Sequence, residues 1–129
     1  MDVGYERFLG PEMFFHPEFV SKEWSRPIDE IIDTAIQSSP IDTRRRLYSN
    51  IVMSGGSTLV QGFEERLQKA IQRRVQERYD KYSKLSQTPI APIGVSVMKN
   101  MAQRFAVWFG GSFLSTNVRM QNRFFVAKL

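Results

Sequence analysis

Cysteine is absent from the 129 residues, which excludes a disulfide framework and gives no redox reason to place the chain in an oxidising compartment. One histidine, His16, is too few for an ordinary zinc site, which needs several His or Cys ligands. No apolar run approaches membrane-spanning length. The opening residues also lack the basic-then-apolar order of a secretory leader. The expectation is therefore a soluble intracellular chain of one domain. With 42% hydrophobic and 12% aromatic residues it has the means to bury a core.

The formal net charge is +5, which raises nucleic acid as a partner. Much of the excess lies in residues 64–84, where Arg66, Lys69, Arg73, Arg74, Arg78, Lys81 and Lys84 outnumber Glu64, Glu65, Glu77 and Asp80. Leu67, Ile71, Val75, Tyr79 and Tyr82 recur every three or four residues through the same stretch. That is the pattern of a long amphipathic helix, with acids at its start and lysines at its end as the macrodipole favours. A solvated basic face is the simpler account, and contact with DNA or RNA the competing one.

Around this helix the punctuation predicts the remaining elements. Residues 3–9 read as a strand stopped by Gly10-Pro11. Phe14, Phe15, Phe19 and Trp24, broken by Pro17, suggest irregular backbone held by large rings. Ser25 and Pro27 mark a helix start, with Ile28, Ile31, Ile32, Ala35 and Ile36 on one face. Asp29, Glu30 and Asp33 are expected to point outward into solvent. A short helix is predicted over 43–50, a strand over 51–53, the long helix over 59–86 and a strand over 93–98. A proline-marked loop separates the last two at 87–92. Residues 101–115 are dense in apolar side chains, and Gly110-Gly111 inside a helix there would call for close backbone packing.

The sharpest motif is Ile51-Val-Met-Ser-Gly-Gly-Ser-Thr58. An apolar strand runs into two glycines, and two hydroxyl residues are expected to open the long helix. Glycines admit a ligand close to the backbone, and a helix N-terminus offers unpaired N–H groups to an anion. Plain turn chemistry gives the same spacing, so the motif gains weight only from its surroundings.

Four ordered blocks supply them: Gly4-Tyr-Glu-Arg-Phe-Leu-Gly-Pro-Glu12 with its continuation Met-Phe-Phe-His-Pro-Glu-Phe19, Pro40-Ile-Asp-Thr-Arg-Arg45, Leu47-Tyr-Ser-Asn-Ile-Val-Met-Ser-Gly-Gly-Ser-Thr58, and Gln103-Arg-Phe-Ala-Val-Trp-Phe-Gly-Gly-Ser112. Together they resemble the actin superfamily, in its actin-related protein 3 branch. The resemblance covers residues 2 to about 115. It divides the chain into a partial actin-like domain, 1–115, and a divergent tail, 116–129.

The resemblance implies an α/β, partial actin-like ATPase (ribonuclease H-like) fold around subdomain 3, one wall of a cleft that holds ATP with Mg²⁺. By position it makes Gly55, Gly56, Ser57, Thr58, Leu59 and Arg104 the candidate nucleotide contacts. Leu59 could pack on the nucleoside and the Arg104 guanidinium could stack on a purine. Val60 stands where relatives often carry an aromatic. No stretch resembles the family's phosphate loops, so Mg²⁺ would be held mainly by residues outside this chain and no ATP hydrolysis is expected. The implied setting is cytoplasmic and cytoskeletal, with Arp2/3 complex subunits and actin as partners and neither membrane nor nucleic acid. A truncated, non-functional fragment is the alternative reading.

Overall fold

The computed structural model describes residues 4–23, 26–85 and 92–116. The side chains of residues 6–8 and 85 are not among those described. Trp24, Ser25, most of the proline-marked loop and the tail beyond Thr116 lie outside these ranges. In chain order the elements are α1 (Glu6–Glu12), a 3₁₀ turn (Pro17–Phe19), α2 (Ile28–Gln37), α3 (Ile41–Tyr48) and β1 (Ile51–Val52). A second 3₁₀ turn (Gly56–Leu59), α4 (Phe63–Leu85), β2 (Val97–Met98), a third 3₁₀ turn (Gln103–Phe105) and α5 (Ala106–Thr116) follow.

The frame is a strand–helix–strand crossover. β1 and β2 pair in parallel, Ile51 opposite Val97 and Val52 opposite Met98, and α4 joins and covers them. Phe63, Leu67, Ile71 and Val75 fall every four residues along α4 and all are buried. They meet Met53, Val95 and Val97 from the strand segments, Tyr48 from α3, Ile36 from α2, and Phe15. Such fully buried side chains each contribute about 1.5–3 kcal/mol. The rings of Phe14 and Phe15 both pack on Phe63, at 5.5 and 5.4 Å between centroids.

Strand pairing over 93–98 is shorter than expected, and α4 explains why. Gln68 accepts the Val97 N–H at 3.2 Å, and Gln72 accepts the Val95 N–H at 3.0 Å while donating to the Ile93 carbonyl. Side-chain amides of the helix thus serve the backbone at 93, 95 and 97, while Ser96 and Met98 bond the backbone of Tyr48, Ile51 and Met53. A backbone polar group needs a partner, not a ladder.

Two further expectations are corrected. Residues 6–12 form a helix, not a strand, and Pro11 lies inside it. A residue before proline resists the helical region because its Cβ clashes, and Gly10 has none. The acids of α2 are not outward either. Asp29 and Asp33 are only 4% and 8% exposed. Asp29 pairs with Arg74, which also reaches Glu30 at 3.5 Å, and Asp33 pairs with Arg78. Both acids and both arginines are four residues apart, so α2 and α4 run side by side in the same direction with matching charges one turn apart.

Tyr48 closes this network. Its hydroxyl donates to Asp33 Oδ1 at 2.5 Å and accepts from Gln37 at 2.9 Å and Arg78 at 3.1 Å. Burial, and then the bond to Asp33, push the phenol above its ordinary pKa and keep it a donor. Burial works against the charge on Arg78, yet its bonds to Asp33 and Tyr48 hold its pKa above the usual value. No buried side-chain polar atom among the described residues lacks a partner.

Candidate functional site

The glycine corner lies at the end of β1, where the chain leaves the sheet. Gly55 has φ +105°, a backbone conformation that side-chain-bearing residues rarely adopt. A Cβ added at Gly55 or Gly56 would meet nothing within 4 Å, so open space faces both. The helix expected to start here does not. Ser57 and Thr58 belong to the short 3₁₀ turn, Val60 is extended with ψ 131°, and Gly62 turns the chain at φ +79° before α4 begins at Phe63. The N–H groups opening the long helix are therefore displaced from the two glycines in sequence.

A second segment completes the corner. The Gly55 N–H donates to the Gln103 carbonyl at 2.9 Å. The Gln103 side-chain amide donates to the Thr58 hydroxyl, which in turn donates to the Gly55 carbonyl at 2.7 Å. Gln103 is 2% exposed, so this cross-link is buried. It brings the turn carrying Arg104 against the turn carrying Gly56 to Leu59. Five of the six sequence-derived residues thus sit on one turn, and Arg104 follows the residue that clamps it.

The roles divide. Thr58 is occupied in holding the corner together. Gly56, Ser57, Leu59 and Arg104 are exposed, and Gly55 is half-buried. The Arg104 guanidinium lies 5.7 Å from the Phe105 ring centroid, a loose cation–π contact. Val60, also exposed, adds aliphatic area beside Leu59. This surface offers open backbone, an apolar contact and a planar cation, which suits the nucleoside end of a nucleotide. Among the described residues no group of three or more His, Cys, Asp or Glu side chains could hold a metal ion.

Gln103, which cross-links the two turns, is the residue that sequence reasoning passed over. It begins the Gln103-Arg-Phe block, but a glutamine carries no charge or periodic signal to mark it as a clamp. Among the described residues a Cβ at Gly110 or Gly111 would meet nothing within 4 Å, so none of them packs closely on α5 there. Among the described residues no helix is long and apolar enough to cross a membrane.

Comparison with known proteins identifies the family of the chain. The Actin family profile matches residues 1–128. Actin-related protein 3 of Drosophila melanogaster is 53% identical over 118 residues, 90% of this chain and 28% of the relative. That of Caenorhabditis elegans is 52% identical over 118 residues, with the same coverage. That of Dictyostelium discoideum is 49% identical over 123 residues, 94% of this chain and 29% of the relative. The chain spans less than a third of the length of each relative. A match over nearly all of its residues, on an actin-like α/β frame, places the chain in the actin family.

Proposed function

We propose that this chain forms the nucleoside-facing wall of an ATP cleft, as part of a cytoplasmic, cytoskeletal protein of the actin-related protein 3 type. The observation that carries this reading is the clamp between Gln103 and the 55–58 turn, because it ties the turn that carries Arg104 to the turn whose Gly55 and Gly56 face open space. ATP would supply a flat purine and a triphosphate. Leu59 and Arg104 would contact the nucleoside, and the glycine backbone would let it approach.

The same reading extends to partners. Identity to actin-related protein 3 of three organisms supports an association with actin-type proteins; on this reading the chain would contribute one cleft wall and contact surface to an Arp2/3-type assembly acting in actin filament nucleation and branching. Hydrolysis would require positioned metal and phosphate-cradling groups that the resemblance assigns to other parts of the family fold. The chain by itself is therefore proposed to bind and not to cleave ATP.

Thermal unfolding with ATP and Mg²⁺ tests this. Ligand at 100 times its dissociation constant should stabilise the chain by about 2.7 kcal/mol. Gly56→Asp adds a carboxylate where space is open, so it should fold and lose the shift. A cooperative transition indifferent to ATP would overturn the reading, as would magnesium-dependent turnover by the purified chain.

A further inference from the structure

A cavity outside the glycine corner carries more cationic than anionic side chains in its lining. It has a volume of about 640 Å³ between α4 and residues Phe15, His16, Glu18 and Pro27, and its cationic lining is Arg66, Lys69, Arg73 and Arg74. That volume lies within the range of small-molecule sites. Two carboxylates, Glu18 and Asp29, also line it. Both are already engaged, Glu18 by the His16 ring at 3.0 Å and Asp29 by Arg74. Arg66 is engaged too, paired with Glu12 and stacked 4.3 Å over the centroid of Phe15. Lys69 and Arg73 are therefore the lining cations without a carboxylate partner among the described residues, set against one lining carboxylate, Glu18, whose partner is a histidine.

Lys69 and Arg73 are four residues apart on α4, which places their Cβ atoms about 5–6 Å apart on one face. One ammonium and one guanidinium fork can converge on a single anion from that spacing. A phosphate monoester carries about −1.5 to −2 charge and three acceptor oxygens, enough for both cations at once, whereas one carboxylate balances a single cation. Phe15, Pro27 and Ala70 supply an apolar wall for the organic body of such a ligand. We propose that this cavity binds a phosphorylated small molecule or headgroup, with Lys69 and Arg73 holding its phosphate.

Calorimetric titration of the full chain with inorganic phosphate and with inositol trisphosphate tests this, alongside sedimentation with phosphatidylcholine vesicles doped with phosphatidylinositol bisphosphate. Saturable binding in solution assigns a free phosphate compound, and binding only to doped vesicles assigns a lipid headgroup. Lys69→Gln with Arg73→Gln should weaken whichever binding occurs by about tenfold or more. Lys81→Gln with Lys84→Gln removes equal charge farther along the helix and should leave it unchanged. Both lysines and both cavity residues are exposed, so the variants should match the parent by far-UV circular dichroism. Arg73→Lys keeps charge without the fork and should bind at an intermediate level. No saturable binding to any probe would overturn the proposal, and so would an equal loss in the two double variants.

Discussion

Helices α4 and α5 are both rich in large apolar residues, and their surroundings could hardly differ more. α4 buries Phe63, Leu67, Ile71 and Val75 on one face and pairs Arg66, Arg74 and Arg78 on the flanks. α5 carries no charged residue, and Val107, Trp108 and Phe113 are 80%, 73% and 67% exposed. Phe109 is exposed as well. An amphipathic helix completes its packing within this chain, while a helix apolar around its circumference needs cover on several sides. The contrast separates what this chain stabilises by itself from the surface it offers to something else.

The largest effect should come from breaking the α2–α4 network. Asp33→Ala removes the acceptor for both Tyr48 and Arg78 and leaves a partly buried guanidinium without its counter-charge. Loss of one partner from a buried pair costs about 3–5 kcal/mol, and the partial exposure of Arg78 argues for the low end. Denaturant titration of the variant against the parent measures it. A loss under about 1 kcal/mol would mean that the network behaves as a surface pair.

A smaller, pH-dependent effect should come from Glu12. Its hydrogen bond to Arg66 holds the carboxyl below its ordinary pKa of 4.5, outweighing a small effect of burial. Stability from a depressed carboxyl is fully present above the ordinary value and is lost as pH falls through the lower, folded value. Glu12→Gln should therefore be less stable than the parent near neutral pH, by less than about 1 kcal/mol for so exposed a pair, and equal to it in stronger acid. A difference that persisted unchanged below that range would show that the pair does not stabilise the fold.

The smallest effect on stability should come from α5. Trp108→Gln should change unfolding free energy by no more than about 0.5 kcal/mol, as at other exposed positions. It should nevertheless reduce self-association and binding of a hydrophobic dye. A marked loss of stability would show that α5 is covered within this chain, and the contrast with α4 would fail.

The sequence made α4 legible because a four-residue apolar repeat sustained over many turns belongs to a helix buried along one face. The glycine corner was legible for a similar reason, since Gly55-Gly56 after an apolar strand fits little except a turn. Burial of Asp29 and Asp33 was not legible. Their partners lie 45 residues away, and Asp29, in the first turn of α2, satisfies the helix dipole equally well in solvent. Residues 93–98 alternate like a strand, yet Gln68 and Gln72 supply partners that no local pattern announces. The start of α4 was misplaced because Gly62 interrupts a run that otherwise continues smoothly from the corner. Local periodicity reveals which face is buried; it does not reveal which distant polar group arrives to meet the backbone.

The central claim, that the 55–59 turn and Arg104 form a nucleoside-binding wall, is tested most directly by nuclear magnetic resonance. Backbone amide and arginine side-chain signals should be followed as ATP with Mg²⁺ is added to the labelled chain. A nucleoside wall predicts saturable shifts concentrated at Gly55, Gly56, Ser57, Leu59 and Arg104, absent in Gly56→Asp. Shifts confined to His16, Lys69 and Arg73, or none on any residue, would contradict it.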